Sequence, residues 1–313
     1  MFNRDYRIAS SYLNRWATVI VFAAIIALAL GALYIKSTDV AHMTVTIGVC
    51  VFDSVRAAPA LDAFAEFCRS RGCGDIRWVY LRPDVKPSGC DFYFMTSLEL
   101  SPLLSRGEYG CALIVTERGG HRYSRSAVIV RSGKPVFPAT GLRVIFSSPV
   151  SAAGFLAPYR ALERTGHSLA SAVCDFSGLY PREERLVFGV LYGAYDAGGI
   201  SLERLRALEA AGIVRTGELD VYLEGEVFPE IVLAYEARSC TPEERSFAER
   251  LPGVLDRSPR SLRNELSDLG VAGFYSPRES DLDLMRKLVS MTPAGFGFDG
   301  PGAETGRSHE IGR

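Results

Sequence analysis

The chain has 313 residues, enough for one large domain or two smaller ones with their own cores. Its 48% hydrophobic and 23% charged residues are those of a globular protein, which excludes wholesale disorder. Lys and Arg number 35 against 36 Asp and Glu, a formal net charge of -1, so the basic excess of a nucleic-acid binder is missing and no nucleic acid is expected as a partner.

Residues 17–35, ATVIVFAAIIALALGALYI, carry no charge. As a helix they span roughly 28 Å, about the thickness of a hydrocarbon core. Arg4, Arg7 and Arg15 precede the run with Asp5 alone opposing them, and Trp16 and Tyr34 flank it where an aromatic belt would lie. The charge bias predicts a cytoplasmic N-terminus at 1–16, one transmembrane helix at 17–35, and a body on the outer, periplasmic side of the cell membrane. The length of the run favours an uncleaved signal anchor. A cleaved signal peptide, with Ala27 and Ala29 offered to a peptidase, is the alternative.

Residues 36–43 form a polar spacer, and 44–52 read as a buried strand, continuous and β-branched. A helix is predicted over 57–70, with Ala57, Leu61, Phe64, Ala65 and Cys68 on one face. Strands follow at 76–81 and from 89 to 94, then a helix over 97–104 with Ser97 placed to cap it before Glu99. This alternation argues for a mostly parallel sheet covered by helices. Two extended runs, 111–116 and 123–131, lead to a Pro-rich break that includes Phe137-Pro138.

A second alternation begins with a strand at 142–146 and a helix near 153–165. It continues with a strand at 171–176, helices at 182–193 and 201–211, and strands at 219–223 and 231–235. Thr241-Pro242-Glu243-Glu244 starts a helix, with a cap, a first-turn Pro and acids on the positive end of the dipole. Helices near 258–269 and 280–289 follow, and 291–313, rich in Gly, Pro and charge, read as a disordered tail. The body therefore divides into lobe 1 (44–130 and 233–290) and an inserted lobe 2 (131–232), with a hinge at crossings near 126–138 and 226–236 and a cleft between the lobes.

Seven cysteines are present without a CxxC pair, and the four His (His42, His121, His167, His309) are scattered, so neither a metal nor another cofactor is expected. Cys50, Cys111 and Cys174 lie in apolar runs and read as buried thiols, while one bridge among Cys68, Cys73 and Cys90 stays open. Asp196 before Gly reads as a turn former, Glu183-Glu184 as first-turn dipole partners, and Arg204 and Arg206 as a solvated face. No catalytic constellation emerges, and an enzyme is not expected.

Three stretches, FSSPVSAAGFLAP (146–158), GVLYGAYDAGGI (189–200) and VFPEIVLAYEA (227–237), resemble the phosphate/phosphite/phosphonate-binding proteins of ABC transporters. GVCVFDSVRAAPALDAFAEF (48–67) resembles the family's first strand and helix more loosely, and the likeness runs in the family's order over roughly 44–290. It implies an α/β, two-lobed type 2 periplasmic-binding-protein fold with a hinge and an inter-lobe cleft. It also implies an extracytoplasmic protein that captures a small oxyanion for an ABC permease. The alternative is a membrane-tethered sensor or accessory module with a degenerate site.

A strand turning into a helix leaves the first amide N–H groups free for an anion, and Ser147, Ser148, Ser151 and Gly154 stand at such a turn. Ala152 and Ala153 replace hydroxyl residues the family often has there, and Tyr180 stands near where it often has a His. In lobe 1, DFYFMTS (91–97) matches the family's ligand-side segment, which makes Tyr93, Thr96 and Ser97 candidates; Tyr93 read as a sheet residue facing a covering helix is the other option.

Overall fold

The computed structural model describes residues 43–81, 87–116, 120–133, 141–167, 169, 173–178, 180 and 182–293. The first part runs β1 (Thr44–Val49), α1 (Ser54–Ser70), β2 (Asp75–Tyr80), β3 (Phe92–Thr96), α2 (Ser97–Ser105) and β4 (Tyr109–Thr116). Next come β5 (Ser124–Arg131), β6 (Arg143–Phe146), a π-helical turn (Ala152–Leu156) continuing into α3 (Ala157–Arg164), and β7 (Val173–Phe176). They are followed by α4 (Glu183–Leu191), β8 (Ala197–Ser201), α5 (Leu202–Ala210) and β9 (Leu219–Phe228). The chain closes with β10 (Ile231–Glu236), α6 (Pro242–Asp256), α7 (Arg260–Asp268), β11 (Gly273–Tyr275) and α8 (Glu279–Met291).

These strands form two sheets, ordered β11-β4-β10-β3-β1-β2 and β7-β6-β8-β5-β9. Each is mixed rather than mostly parallel. The β1–β2, β1–β3, β6–β7 and β6–β8 pairs are parallel, as crossover helices require. The strands next to the crossings, β4, β5, β9 and β10, pair antiparallel with their neighbours, because a chain passing between sheets returns against the parallel strands.

Period-2 alternation packs each sheet on both faces. In β3, Phe92 and Phe94 enter the core under α1 and α6, whereas Tyr93 and Met95 enter the opposite core with Leu100, Tyr109 and Met285. The face predicted for α1 is buried at Ala57, Leu61, Phe64, Ala65 and Cys68. Burying a side chain such as Leu61 or Phe64 stabilises by about 1.5–3 kcal/mol each. In lobe 2, Val144 and Phe146 face one core and Ile145 the other.

The chain crosses between the sheets twice, between β4 and β5 and through Pro229–Glu230. The expected boundary at residue 130 therefore moves: β5 pairs along its length with β8 and β9, so 124–130 belong with lobe 2. An extended run announces a strand but not which sheet it joins. Helix α8 spans both lobes, with Met285 in a lobe 1 core and Leu288 and Met291 in a lobe 2 core.

All seven cysteines are free. Cys50 is buried, as expected, but Cys174 is exposed, because β7 is an edge strand. Among the described residues no helix is long and apolar enough to cross a membrane. The expected anchor at 17–35 lies outside the described residues, as do 294–313 of the expected tail.

Candidate ligand-binding cleft

A cavity of about 150 Å³ opens where the carboxyl ends of β1 and β3 face the carboxyl end of β6. Crevices at the carboxyl ends of strands are where open α/β sheets bind ligands. Of the residues singled out in the sequence, Ser147, Ser148, Ser151, Gly154, Tyr180 and Thr96 line this cavity.

The lobe 2 wall begins where β6 ends. Ser147 N–H donates to both Gly154 O and Gly199 O at 3.1 Å, and its carbonyl accepts Ser177 Oγ–H at 2.6 Å, which fixes the loop from two sides. Ser151 caps the π-helical turn, its Oγ accepting the Gly154 N–H at 2.7 Å. Gly154 is required by close approach: a Cβ there would stand 2.5 Å from Ser147 Cβ. Ala152 and Ala153 are wholly buried, so neither offers a side-chain donor to the cleft.

The lobe 1 wall is the start of α2. Thr96, not Ser97, caps this helix. Thr96 Oγ1 accepts the Glu99 N–H at 3.2 Å and donates to Glu99 Oε2 at 2.9 Å, while Thr96 N–H donates to the same oxygen at 2.8 Å. Desolvation by burial pushes the Glu99 carboxyl up to about 7, against the pull of its Thr96 bonds. Tyr93 does not reach the cleft. It is buried against Tyr109 at 5.7 Å between ring centres, and its hydroxyl accepts the Cys90 N–H at 2.9 Å. Tyr93 thus proves to be a sheet residue facing the covering helices: it lies an odd number of positions before Thr96 in the strand, and side chains at such a spacing point to opposite faces.

Charged groups complete the site, and sequence reasoning missed most of them. Asp53 caps α1 by accepting the Val55 N–H at 2.9 Å, and Arg56 follows one turn on; both line the cavity. Arg204, expected on a solvated face, lines it too and pairs with Glu183 at 3.9 Å. The polar side of α5 is legible in the sequence, but not that this side meets the cleft. An adjoining hollow of about 280 Å³ carries Arg182 and Arg185 beside Tyr180. Asp196 binds Arg143, its Oδ1 lying 3.0 Å from the guanidinium, and stands at a strand start in keeping with a structural part.

Glu230, in the bridge between β9 and β10, also reaches this wall. Its carboxylate accepts Ser151 Oγ–H on one oxygen and Ala153 N–H on the other, the latter at 3.1 Å. Its one sequence signal is an acid directly after Pro229 at a chain crossing. Among the described residues no group of His, Cys, Asp and Glu side chains is placed to hold a metal ion.

Several solved structures share this fold. XAC2383 from Xanthomonas citri, bound to ATP, superimposes with a TM-score of 0.61 at 16% identity, over 79% of this chain and 96% of that one. PhnD1 from Prochlorococcus marinus, in complex with methylphosphonate, gives 0.59 at 14% identity, over 79% and 97%. A binding protein component of an ABC phosphonate transporter from Pseudomonas aeruginosa, PA3383, gives 0.58 at 13% identity, over 79% and 86%. No curated protein matches the chain. The family model described as "ABC transporter, phosphonate, periplasmic substrate-binding protein" matches residues 89–282. With more than half its length so matched, the chain belongs to the family of periplasmic substrate-binding proteins of phosphonate ABC transporters.

Proposed function

We propose that this protein captures a small oxyanion, phosphate- or phosphonate-like, in the cleft between its lobes and presents it to an ABC permease. In this reading residues 17–35 tether the body to the membrane. One observation carries it: Ser147, Ser148, Ser151 and Gly154 gather at a helix start in a cavity that Arg56 and Thr96 close from the other lobe. Backbone N–H groups at a helix start, hydroxyls and a guanidinium are the donors that offset the desolvation of an oxyanion. The cavity's small volume suits a compact ligand.

A thermal-shift series on the purified chain with phosphate, phosphite, methylphosphonate and sulfate tests the reading. An anion at 100 times its dissociation constant should stabilise the fold by about 2.7 kcal/mol, and Ser151→Ala should reduce that gain. If none of these anions raises the melting temperature, capture of this ligand class is ruled out. A second reading, a membrane-tethered sensor or accessory module with a degenerate site, is favoured by a single contact, that of Glu230 with the Ser151 loop.

A further inference from the structure

The helix start of lobe 2 already carries an anion, supplied by the chain itself. Glu230 is fixed at its backbone to lobe 1, where its carbonyl accepts the Ser97 N–H at the beginning of α2 at 2.9 Å. Its side chain reaches the opposite wall, where Ser151 Oγ–H and Ala153 N–H each donate to one carboxylate oxygen. These are one hydroxyl and one backbone donor at the positive end of a helix that continues without a break from Ala152 to Arg164. Two oxygens of a phosphate or phosphonate would seek the same pair of donors. An external oxyanion placed on them would meet the Glu230 carboxylate at bonding distance. The rest of the cavity adds to the conflict, because Asp53, Glu183 and Asp268 line it with Glu230 against Arg56 and Arg204.

We infer that Glu230 is a built-in ligand of the cleft: its carboxylate occupies the donors of Ser151 and Ala153, clasps the two lobes together, and must be displaced before an external oxyanion binds. The inference rests on the proposed oxyanion reading in one respect, that the donors so released accept such an anion. The clasp itself rests on the contacts alone.

Two measurements on the full-length chain in detergent micelles separate these parts. The first is calorimetric titration with inorganic phosphate and with methylphosphonate, comparing wild type with Glu230→Gln, which removes the charge and keeps the shape. Binding at least tenfold tighter in Glu230→Gln is the expected result. The second is hydrogen exchange of the 151–156 segment without added anion, where Glu230→Ala should speed exchange at least tenfold over wild type. If Glu230→Ala does not fold, the titration of Glu230→Gln carries the test by itself.

Equal anion affinity in wild type and Glu230→Gln overturns the inference and leaves the oxyanion reading standing. Tighter binding by wild type overturns it as well, since Glu230 would then be a contact of the bound anion. Faster exchange in Glu230→Ala with no anion bound by any form upholds the clasp and sinks the oxyanion reading. Unchanged exchange together with no anion binding sinks both.

Discussion

Both walls of the cleft are helix starts with a hydroxyl cap and a carboxylate, yet the two carboxylates reach their caps by different routes. At Thr96 the acid is Glu99, three residues further along the same helix. At Ser151 it is Glu230, 79 residues away on the bridge between the sheets. The first arrangement forms as soon as one helical turn does and belongs to lobe 1 alone. The second exists only while the two lobes are packed. A local acid therefore stabilises a helix, whereas a distant one reports on the geometry of the cleft.

The largest expected effect sharpens that contrast through pH. Burial lifts the Glu99 carboxyl from its ordinary 4.5 to about 7, so between these values the folded chain holds a proton that the unfolded chain releases. Its contribution to stability is complete below pH 4.5 and is lost as the pH rises through 7, up to roughly 3 kcal/mol. Melting temperatures from pH 4.5 to 8 should fall more steeply for wild type than for Glu99→Gln. Parallel curves would remove Glu99 from the account.

A smaller effect is expected in the opposite wall, from crowding rather than charge. Gly154→Ala puts a methyl 2.5 Å from Ser147 Cβ and should cost about 1–3 kcal/mol in urea unfolding. An unchanged unfolding midpoint would mean that the Ser151 loop yields freely and that the two walls differ in stiffness as well as in the origin of their acids. The smallest effect belongs to the Glu183–Arg204 pair, whose 3.9 Å separation and partial exposure suggest less than about 1 kcal/mol for Glu183→Gln. A loss above about 2 kcal/mol in the same assay would place a second interaction of consequence on the lobe 2 side.

How far the sequence revealed this arrangement depended on the distance between the residues involved. The apolar face of α1 and the Ser-rich turn after β6 were legible because each lies within a few residues at a period set by backbone geometry. The cap of α2 was misplaced by one residue, since adjacent Thr96 and Ser97 both have cap chemistry and only the register of Glu99 separates them. Tyr93 stayed open between two readings for a related reason: the face of a strand flips with every residue, and DFYFMTS offers apolar side chains in both phases. β11, three residues long, was too short to give a periodic signal. Arg204, Asp268 and Glu230 were out of reach altogether, because they meet only after two lobes and their crossings are assembled.

Helix α8 sets a mechanical limit on the molecule. Asp281 near its start accepts the hydroxyl of Tyr123, at the first crossing, while Met285 sits in a lobe 1 core. Leu288 and Met291 sit in a lobe 2 core, Met291 O accepts from Arg160, and Lys287 pairs with Glu226. The helix is thus a tie-bar, bolted at both ends. A jaw-like opening would pull Leu288 and Met291 from their core, at about 1.5–3 kcal/mol for each. Relative movement of the two lobes is therefore coupled to the seating of this one helix.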